Sequence, residues 1–477
     1  MSVQGINSLF FPFSQYIVFS LSCDTSSANF NHMNKRAKSD HPVLPETAQI
    51  QGLSHDGRGI ATILNKTTFI AGALPQESVT YRIHQKKTTY MEGEATEILT
   101  PSPDRVVPPC QHFGVCGGCS LQHMSLPMQT RLKETTLFEQ LSHFGKVTPA
   151  EILPPLQFTG TGYRRKARLG AKFVIKKNKM LVGFREKSSR YLADLSHCMV
   201  LHPAVGERLE LLAELIRSLE SYMDIPQIEV AIGDTTVALV FRHMKALLSG
   251  DLDKLVDFGK QHDFHIYLQP NPPAPVTKLY PHDDNEHLSY TLPEYQLEFL
   301  FHPLDFTQIN LDINRMMVKQ AIELLGIGRE DTVLDLFCGI GNFSLPMARF
   351  AKSVTGIEGA EEMTTRAAMN AAHNGIENTD FHVANLMSPP TSASWLNRQY
   401  DKILLDPPRA GAFEILSLIA KLGATRIVYV SCNPATLSRD AGELVHQYGY
   451  RLQKVGIMNM FPHTSHIEVM AVFEKFK

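Results

Sequence analysis

Three short apolar runs in the last third of this 477-residue chain each stop abruptly at a turn, and that arrangement restricts the fold more than any other feature. Thr332-Val333-Leu334-Asp335-Leu336-Phe337 passes into Cys338-Gly339-Ile340-Gly341-Asn342. Lys402-Ile403-Leu404-Leu405 ends at Asp406-Pro407-Pro408-Arg409, and Val428-Tyr429-Val430 ends at Ser431-Cys432-Asn433-Pro434. Strands of this kind, separated by helix-like stretches such as Ala435 to Val445, predict a doubly wound α/β domain with a parallel sheet beginning near Phe301. In such sheets the side chain at the end of a strand faces the ligand crevice. Cys432 stands at that place, where a thiol either acts as a nucleophile or packs as a small apolar group.

The glycines after Phe337 permit a tight turn against a ligand, and the lysine of a phosphate-binding Walker loop is missing. Glu358 ends the next apolar run, Ser353-Val354-Thr355-Gly356-Ile357, about twenty residues on, where an acidic side chain takes ribose hydroxyls. That pattern fits NAD and S-adenosylmethionine equally. Asp406-Pro407-Pro408 resembles the signature of nucleic-acid methyltransferases that use S-adenosylmethionine. In the amino-group methylases an aromatic residue follows the prolines, and here Arg409 stands instead, which points to carbon methylation. C5 of uracil is a poor nucleophile, so a thiolate must first add to C6. A base must then remove the C5 proton before the thiol is eliminated. Glu468, at the start of the apolar run Val469 to Phe473, is a candidate.

The segments DLFCGIGNFSLP, LLDPPRAGA, VYVSCNPATLSRD and MFPHTSHIE, in this order, resemble the RNA uracil-C5 methyltransferases. The resemblance implies a seven-stranded S-adenosylmethionine-dependent methyltransferase domain, with Cys432 as nucleophile, Glu468 as base and Asp406 bordering substrate and donor. It implies that Gln308, Phe337, Asn342, Glu358, Asn385 and Asp406 bind S-adenosylmethionine. The competing readings are an amino-group methylase, which has no use for Cys432, an RNA-binding iron-sulfur protein with a vestigial catalytic fold, and methylation of a different rRNA or tRNA uridine.

Seven unevenly spaced cysteines do not form a secreted disulfide framework. Cys110, Cys116 and Cys119 lie within ten residues and Cys198 follows much later, a set that can converge on zinc or an iron-sulfur centre. The family resemblance implies a [4Fe-4S] cluster, because members acting on ribosomal RNA carry one with this spacing. Such a cluster together with the short β-type runs between Glu46 and Thr100 resembles the ribosomal-RNA branch of the family, and that resemblance implies 23S ribosomal RNA as partner, with uracil 1939 as the target.

A net charge of −2 excludes wholesale attraction to nucleic acid, so any RNA surface is a local patch. Short β-type runs between Glu46 and Thr100 predict a small barrel, which resembles the OB-like TRAM domain; there Lys86 and Lys87 are candidates for RNA backbone contact as much as for an ordinary solvated turn. Tyr163-Arg164-Arg165-Lys166-Ala167-Arg168 concentrates cations beside the cysteines, so Arg164, Arg165, Lys166 and Arg168 are further candidates for phosphate contact. The expected organisation is an extension at 1–42, disordered or upstream of the native start, a barrel at 43–101, a mixed α/β iron-sulfur and RNA-binding domain at 102–300, and the methyltransferase domain at 301–477. Proline-rich stretches at 271–275 and 281–285 are expected loops. No run is long enough to span a membrane, and the expectation is a cytoplasmic monomer.

Overall fold

The computed structural model describes residues 46–158, 160–271, 275–283 and 285–475. The expected extension at 1–42 and parts of the two proline-rich loops, 272–274 and 284, lie outside the described residues.

The N-terminal strands alternate buried and exposed positions, as in Gly59–Ile63, and therefore have one face to hide. Six of them, between residues 47 and 100, curl into one sheet whose long members, Ser78–Lys86 and Tyr90–Thr100, run antiparallel. Glu77 holds this barrel to the following segment. Its fully buried carboxylate accepts the Leu74 N–H at 2.7 Å, the Ser102 N–H at 3.1 Å and Arg105 Nη2 at 2.7 Å. A buried carboxylate is tolerable only with such partners.

A second six-stranded sheet contains Lys166–Val174, Lys179–Gly183, Gln227–Ile232, Val237–His243, Phe264–Pro270 and Thr277–Tyr280. Helices Leu209–Ser218 and Ser249–His262 contribute to its core. The crossover helix Ser249–His262 lets Val237–His243 and Phe264–Pro270 pair in parallel.

The C-terminal sheet places five strands in parallel, in the order Thr379–Val383, Ser353–Glu358, Thr332–Leu336, Lys402–Leu405 and Arg426–Ser431. Strand order reverses between Thr332–Leu336 and Lys402–Leu405, which opens a crevice at their carboxyl ends. Glu468–Glu474 then inserts antiparallel between Arg426–Ser431 and Arg451–Met458. Among the described residues, those after 301 contribute seven strands to this sheet. An eighth, Glu151–Ile152, pairs with Arg451–Met458, and its backbone comes from the segment assigned to the central domain.

That segment joins the catalytic body more extensively than its position in sequence implies. Helix Leu126–Gln140 and the turn Leu141–Gly145 lie against helix Pro434–His446, with Leu137 and Leu141 in the same core as Leu405, Tyr429 and Phe473. The expected border at 300 falls inside a hairpin, Leu288–Leu292 with Leu297–Phe301, whose Tyr290 and Phe299 share a core with Val333 and Val428. Helix Glu361–His373 secures this hairpin. Asn370 accepts the Leu300 N–H at 2.8 Å and donates to the Leu300 carbonyl at 3.1 Å, so one side chain satisfies a strand edge as a neighbouring strand does.

Candidate active site

The crevice opens where the strand ends meet. Phe337 adopts φ +66°, unusual for a non-glycine residue, and the N–H groups of Phe337 and Cys338 both donate to the Ile357 carbonyl. Gly339 and Gly341 continue the turn at φ +56° and +90°, where a Cβ is disfavoured. Glu358 is fixed from both sides: Oε2 accepts the Gly339 N–H at 3.2 Å, and Oε1 accepts Gly359 N–H at 2.6 Å and Ala360 N–H at 3.2 Å. Asn342 Oδ1 accepts from Tyr290 Oη at 2.8 Å and from Asn314 Nδ2 at 3.0 Å, which ties the glycine loop to the hairpin.

On the opposite wall, strand register brings two distant residues together. Ser431 pairs with Val469, and Met458 pairs with Glu468. Cys432, one residue beyond a parallel strand, therefore meets Glu468 at the start of an antiparallel one. Asn433 caps helix Pro434–His446 by accepting the Ala435 N–H at 3.1 Å, with Pro434 in the first turn. The adjacent loop is equally fixed. Asn433 Nδ2 donates to the Arg409 carbonyl at 2.9 Å, and buried Asp440 accepts from Ala412 N–H and Tyr429 Oη, each at 2.7 Å.

One cavity of about 700 Å³ is lined by Gln308, Phe337, Asn342, Glu358, Asn385, Asp406, Cys432 and Glu468, so every expected catalytic and donor-binding side chain borders the same space. Phe306, Arg409, Phe461 and His466 also line it, although the sequence reading assigned them no place in the site. The loops of Phe306, Phe461 and His466 gave no strand-end signal, whereas Arg409 belongs to the Asp406-Pro407-Pro408-Arg409 turn.

The electrostatics favour protons. Burial pushes the Asp406 carboxyl up to about 7, with Glu358 adding repulsion. Burial and Asp406 raise Glu468 to about 8, although Arg409 and Lys133 oppose them. Burial, Glu468 and Asp406 raise the Cys432 thiol to about 11, with Arg409 opposing. The ligand-free site therefore holds Cys432 as a thiol near neutrality, and a cation beside Asp406 and Glu358 favours ionisation.

The other expected sites divide. Cys110, Cys116, Cys119 and Cys198 line a common small cavity. The Gly118 N–H donates to Cys116 Sγ at 3.4 Å, and burial pushes the Cys119 thiol up to about 12. Among the described residues, no three His, Cys, Asp or Glu side chains converge on a single metal point.

The basic run makes bonds within the protein. Lys166 Nζ is turned inward, donating to the Pro303 carbonyl at 2.7 Å and to that of Asp305. Arg165 donates to the Gly233 carbonyl and lies 3.6 Å from Asp234, while Arg164 Nε donates to the Lys166 carbonyl at 3.0 Å. Lys166 thereby ties the central sheet to the turn ahead of Gln308, Arg165 holds the turn at Gly233, and all three side chains are half-buried. Arg168 is exposed but paired with Glu229 at 2.8 Å, and Lys86 and Lys87 are exposed on the barrel.

Among known proteins, the chain matches the tRNA (Uracil-5-)-methyltransferase family over residues 233–476 and the TRAM domain over residues 46–96. It is 50% identical over 434 residues to the 23S rRNA (uracil(1939)-C(5))-methyltransferase RlmD of Methylococcus capsulatus, covering 91% of this chain and 98% of the relative. Identity is 51% over 451 residues to the enzyme of the same name from Hahella chejuensis, covering 93% and 100%. The crystal structure of Pyrococcus abyssi tRNA (uracil-54, C5)-methyltransferase in complex with S-adenosyl-L-homocysteine superposes with a TM-score of 0.68 at 24% identity, covering 90% of this chain and all of that one, and shows a shared fold.

Because burial and two neighbouring acids hold the thiol proton, alkylation of Cys432 by iodoacetamide in ligand-free protein is expected to keep accelerating with pH up to about 11. Mass-spectrometric mapping of the modified cysteine at each pH checks this, and a plateau below pH 9 contradicts it.

Proposed function

The chain belongs to the tRNA (Uracil-5-)-methyltransferase family, and on that premise we propose that it transfers a methyl group from S-adenosylmethionine to C5 of uridine 1939 in 23S ribosomal RNA. The observation that carries the reading is the strand register that sets Cys432 beside Glu468 on the cavity shared with the donor-binding residues. The relatives' names supply the nucleotide.

Gln308, Phe337, Asn342, Glu358, Asn385 and Asp406 would hold the donor, and the anchored Glu358 carboxylate suits ribose hydroxyls. S-adenosylmethionine, when bound, supplies an electrophilic methyl group. In the filled site the Cys432 thiol gives up its proton to solvent, and the thiolate Sγ adds to C6 of the uracil and makes C5 nucleophilic. After C5 is methylated, Glu468 takes the C5 proton. The electron pair of that C–H bond restores the C5–C6 double bond and expels Cys432 Sγ. Asp406 borders substrate and donor and, by its charge, helps keep the thiol protonated until the site is filled.

The four cysteines fit a [4Fe-4S] cluster: they share one cavity, and a backbone N–H already points at the Cys116 sulfur. Its role in this reading is to staple distant segments, since Ser120 and Leu121, just after Cys119, donate their N–H groups to the His463 carbonyl in the loop before Glu468. RNA backbone contact falls to Lys86, Lys87 and Arg168, the candidates with exposed side chains. We place the enzyme in the cytoplasm as a monomer. Among the described residues no helix is long and apolar enough to cross a membrane.

RNA containing 5-fluorouracil at the target is expected to trap a covalent adduct, stable to denaturing gels, with the intact protein and none with Cys432→Ala. Glu468→Gln is expected to accumulate a methylated adduct on ordinary RNA with turnover reduced at least ~100-fold. Loss of 5-methyluridine at position 1939 in a deletion strain tests the nucleotide, and an unchanged map refutes it. The Lys86→Ala/Lys87→Ala variant is expected to flatten the salt dependence of RNA binding by roughly 1 to 2 in the log–log slope, while Arg165→Ala lowers thermal stability without changing that slope. Anaerobic iron chelation is expected to lower the melting temperature and abolish adduct formation. Full activity without iron excludes the structural role, and zinc in place of iron and sulfide excludes the cluster.

A further inference from the structure

Helix Leu126–Gln140 buries an unusual face. Gln129, Thr130, Lys133 and Thr136 are all shielded from water. The two threonines bond to carbonyls of their own helix, Leu126 at 3.1 Å and Leu132 at 2.8 Å. Gln129 and Lys133, one turn apart, are left to reach outward. Gln129 accepts the His463 N–H at 2.8 Å. Lys133 Nζ, with only 1% of the residue exposed, donates to Asn459 Oδ1 at 2.8 Å and to the Phe461 carbonyl at 3.0 Å. Both acceptors lie in the loop between Met458 and Glu468.

A neutral amide serves two such acceptors well, as Gln129 does with the carbonyls of Leu121 and Met124 on the same helix. An ammonium at this depth is costly unless its charge has an anionic counterpart. Burial pushes Lys133 down to about 7, and Glu468 is the acid whose charge opposes that fall. Glu468 is itself faced by Asp406 and Arg409 from the loop after Lys402–Leu405, by Cys432 beyond Arg426–Ser431, and by Lys133 from the helix, with His463 and His466 on its own loop. Of the two cations among these, Arg409 is exposed and bonded to His466 at 3.1 Å. Lys133 is the one sealed from solvent, where its charge is least screened.

We propose that Lys133 is a positioning residue for the base: its side chain fixes the 459–461 backbone next to the Met458–Glu468 pair, and its positive charge favours the ionised form of Glu468 that receives the C5 proton. The inference rests on the assignment of Glu468 above. The step it serves breaks the C5–H bond, delivers that proton to a Glu468 oxygen, returns the electron pair to the ring and releases Cys432 Sγ. Addition of the thiolate and methylation of C5 come earlier and do not use this charge.

Rapid-quench single-turnover measurements between about pH 6 and 9 separate adduct formation from elimination. Lys133→Gln keeps a donor and removes the charge, so the rising limb of elimination is expected to move up by about one pH unit, roughly tenfold slower at neutral pH. Adduct formation and donor affinity are expected to stay within about twofold of the parent, and Lys133→Arg to retain the parental profile. Equal slowing of both steps with an unmoved limb in Lys133→Gln overturns the proposal. Should neither lysine variant fold, Asn459→Ala, which loosens the ammonium without removing it, is expected to shift the limb in the same direction by less, and a parental profile there also overturns it. A Glu468→Gln protein that releases product at the parental rate defeats the base assignment itself. A stalled Glu468→Gln beside an unshifted Lys133→Gln defeats only the role of Lys133.

Discussion

The site depends on the pairing of one antiparallel strand. Glu468–Glu474 is hydrogen-bonded on both edges, to Arg426–Ser431 and to Arg451–Met458. Its direction brings its first residue to the end of the sheet where the parallel strands finish. A parallel strand in the same slot would carry Glu468 to the opposite end, and a slip of one residue would turn it to the other face. The inner residues of this strand, Val469 to Phe473, are almost fully buried between two cores, which makes such a slip costly. Juxtaposition of thiol and carboxylate is therefore enforced by hydrophobic burial several residues away from either group.

Around that pairing, other segments act as braces. The Arg409 loop is held by Asn433 and Asp440, and the 459–466 loop is held by Gln129, Lys133 and the N–H groups of Ser120 and Leu121. Tyr163 Oη adds a bond to the Pro462 carbonyl at 2.9 Å. The cavity is rigid on the side of Cys432 and Glu468 because its loops are bonded to three parts of the chain. This arrangement suits a reaction in which two groups must work on one ring in succession.

Much of this was legible in the sequence, because it depends on local patterns. Apolar runs ending in Asp406 or Cys432, and the glycines after Phe337, announce a parallel sheet and its crevice, and their residues do share one cavity. The braces were not legible. Nothing near Lys133 indicates that a lysine on a helix meets Asn459 across 326 positions, although the lack of an apolar stripe on a buried helix is the signal that was present. The basic run from Arg164 to Arg168 was read as an RNA surface because charge runs are visible, whereas the carbonyls of Gly233, Pro303 and Asp305 that receive these cations are set by tertiary contact alone. The borders of the expected domains were unclear for the same reason: Leu126–Gln140 and Leu288–Leu292 pack with strands they do not adjoin in sequence.

The insertion of Leu126–Gln140 into the catalytic body also imposes an order on biosynthesis. The partners of this helix, Pro434–His446 and the loop at 459–461, are made long after it. At roughly 5–20 residues per second, the 326 positions between Lys133 and Asn459 take about 16–65 s to translate. For that time the ammonium and its helix have no docking site, while the barrel at 47–100 already holds all its strands. The nascent chain therefore carries a complete barrel ahead of an unfinished catalytic domain, whose site is assembled only when Glu468–Glu474 enters the sheet.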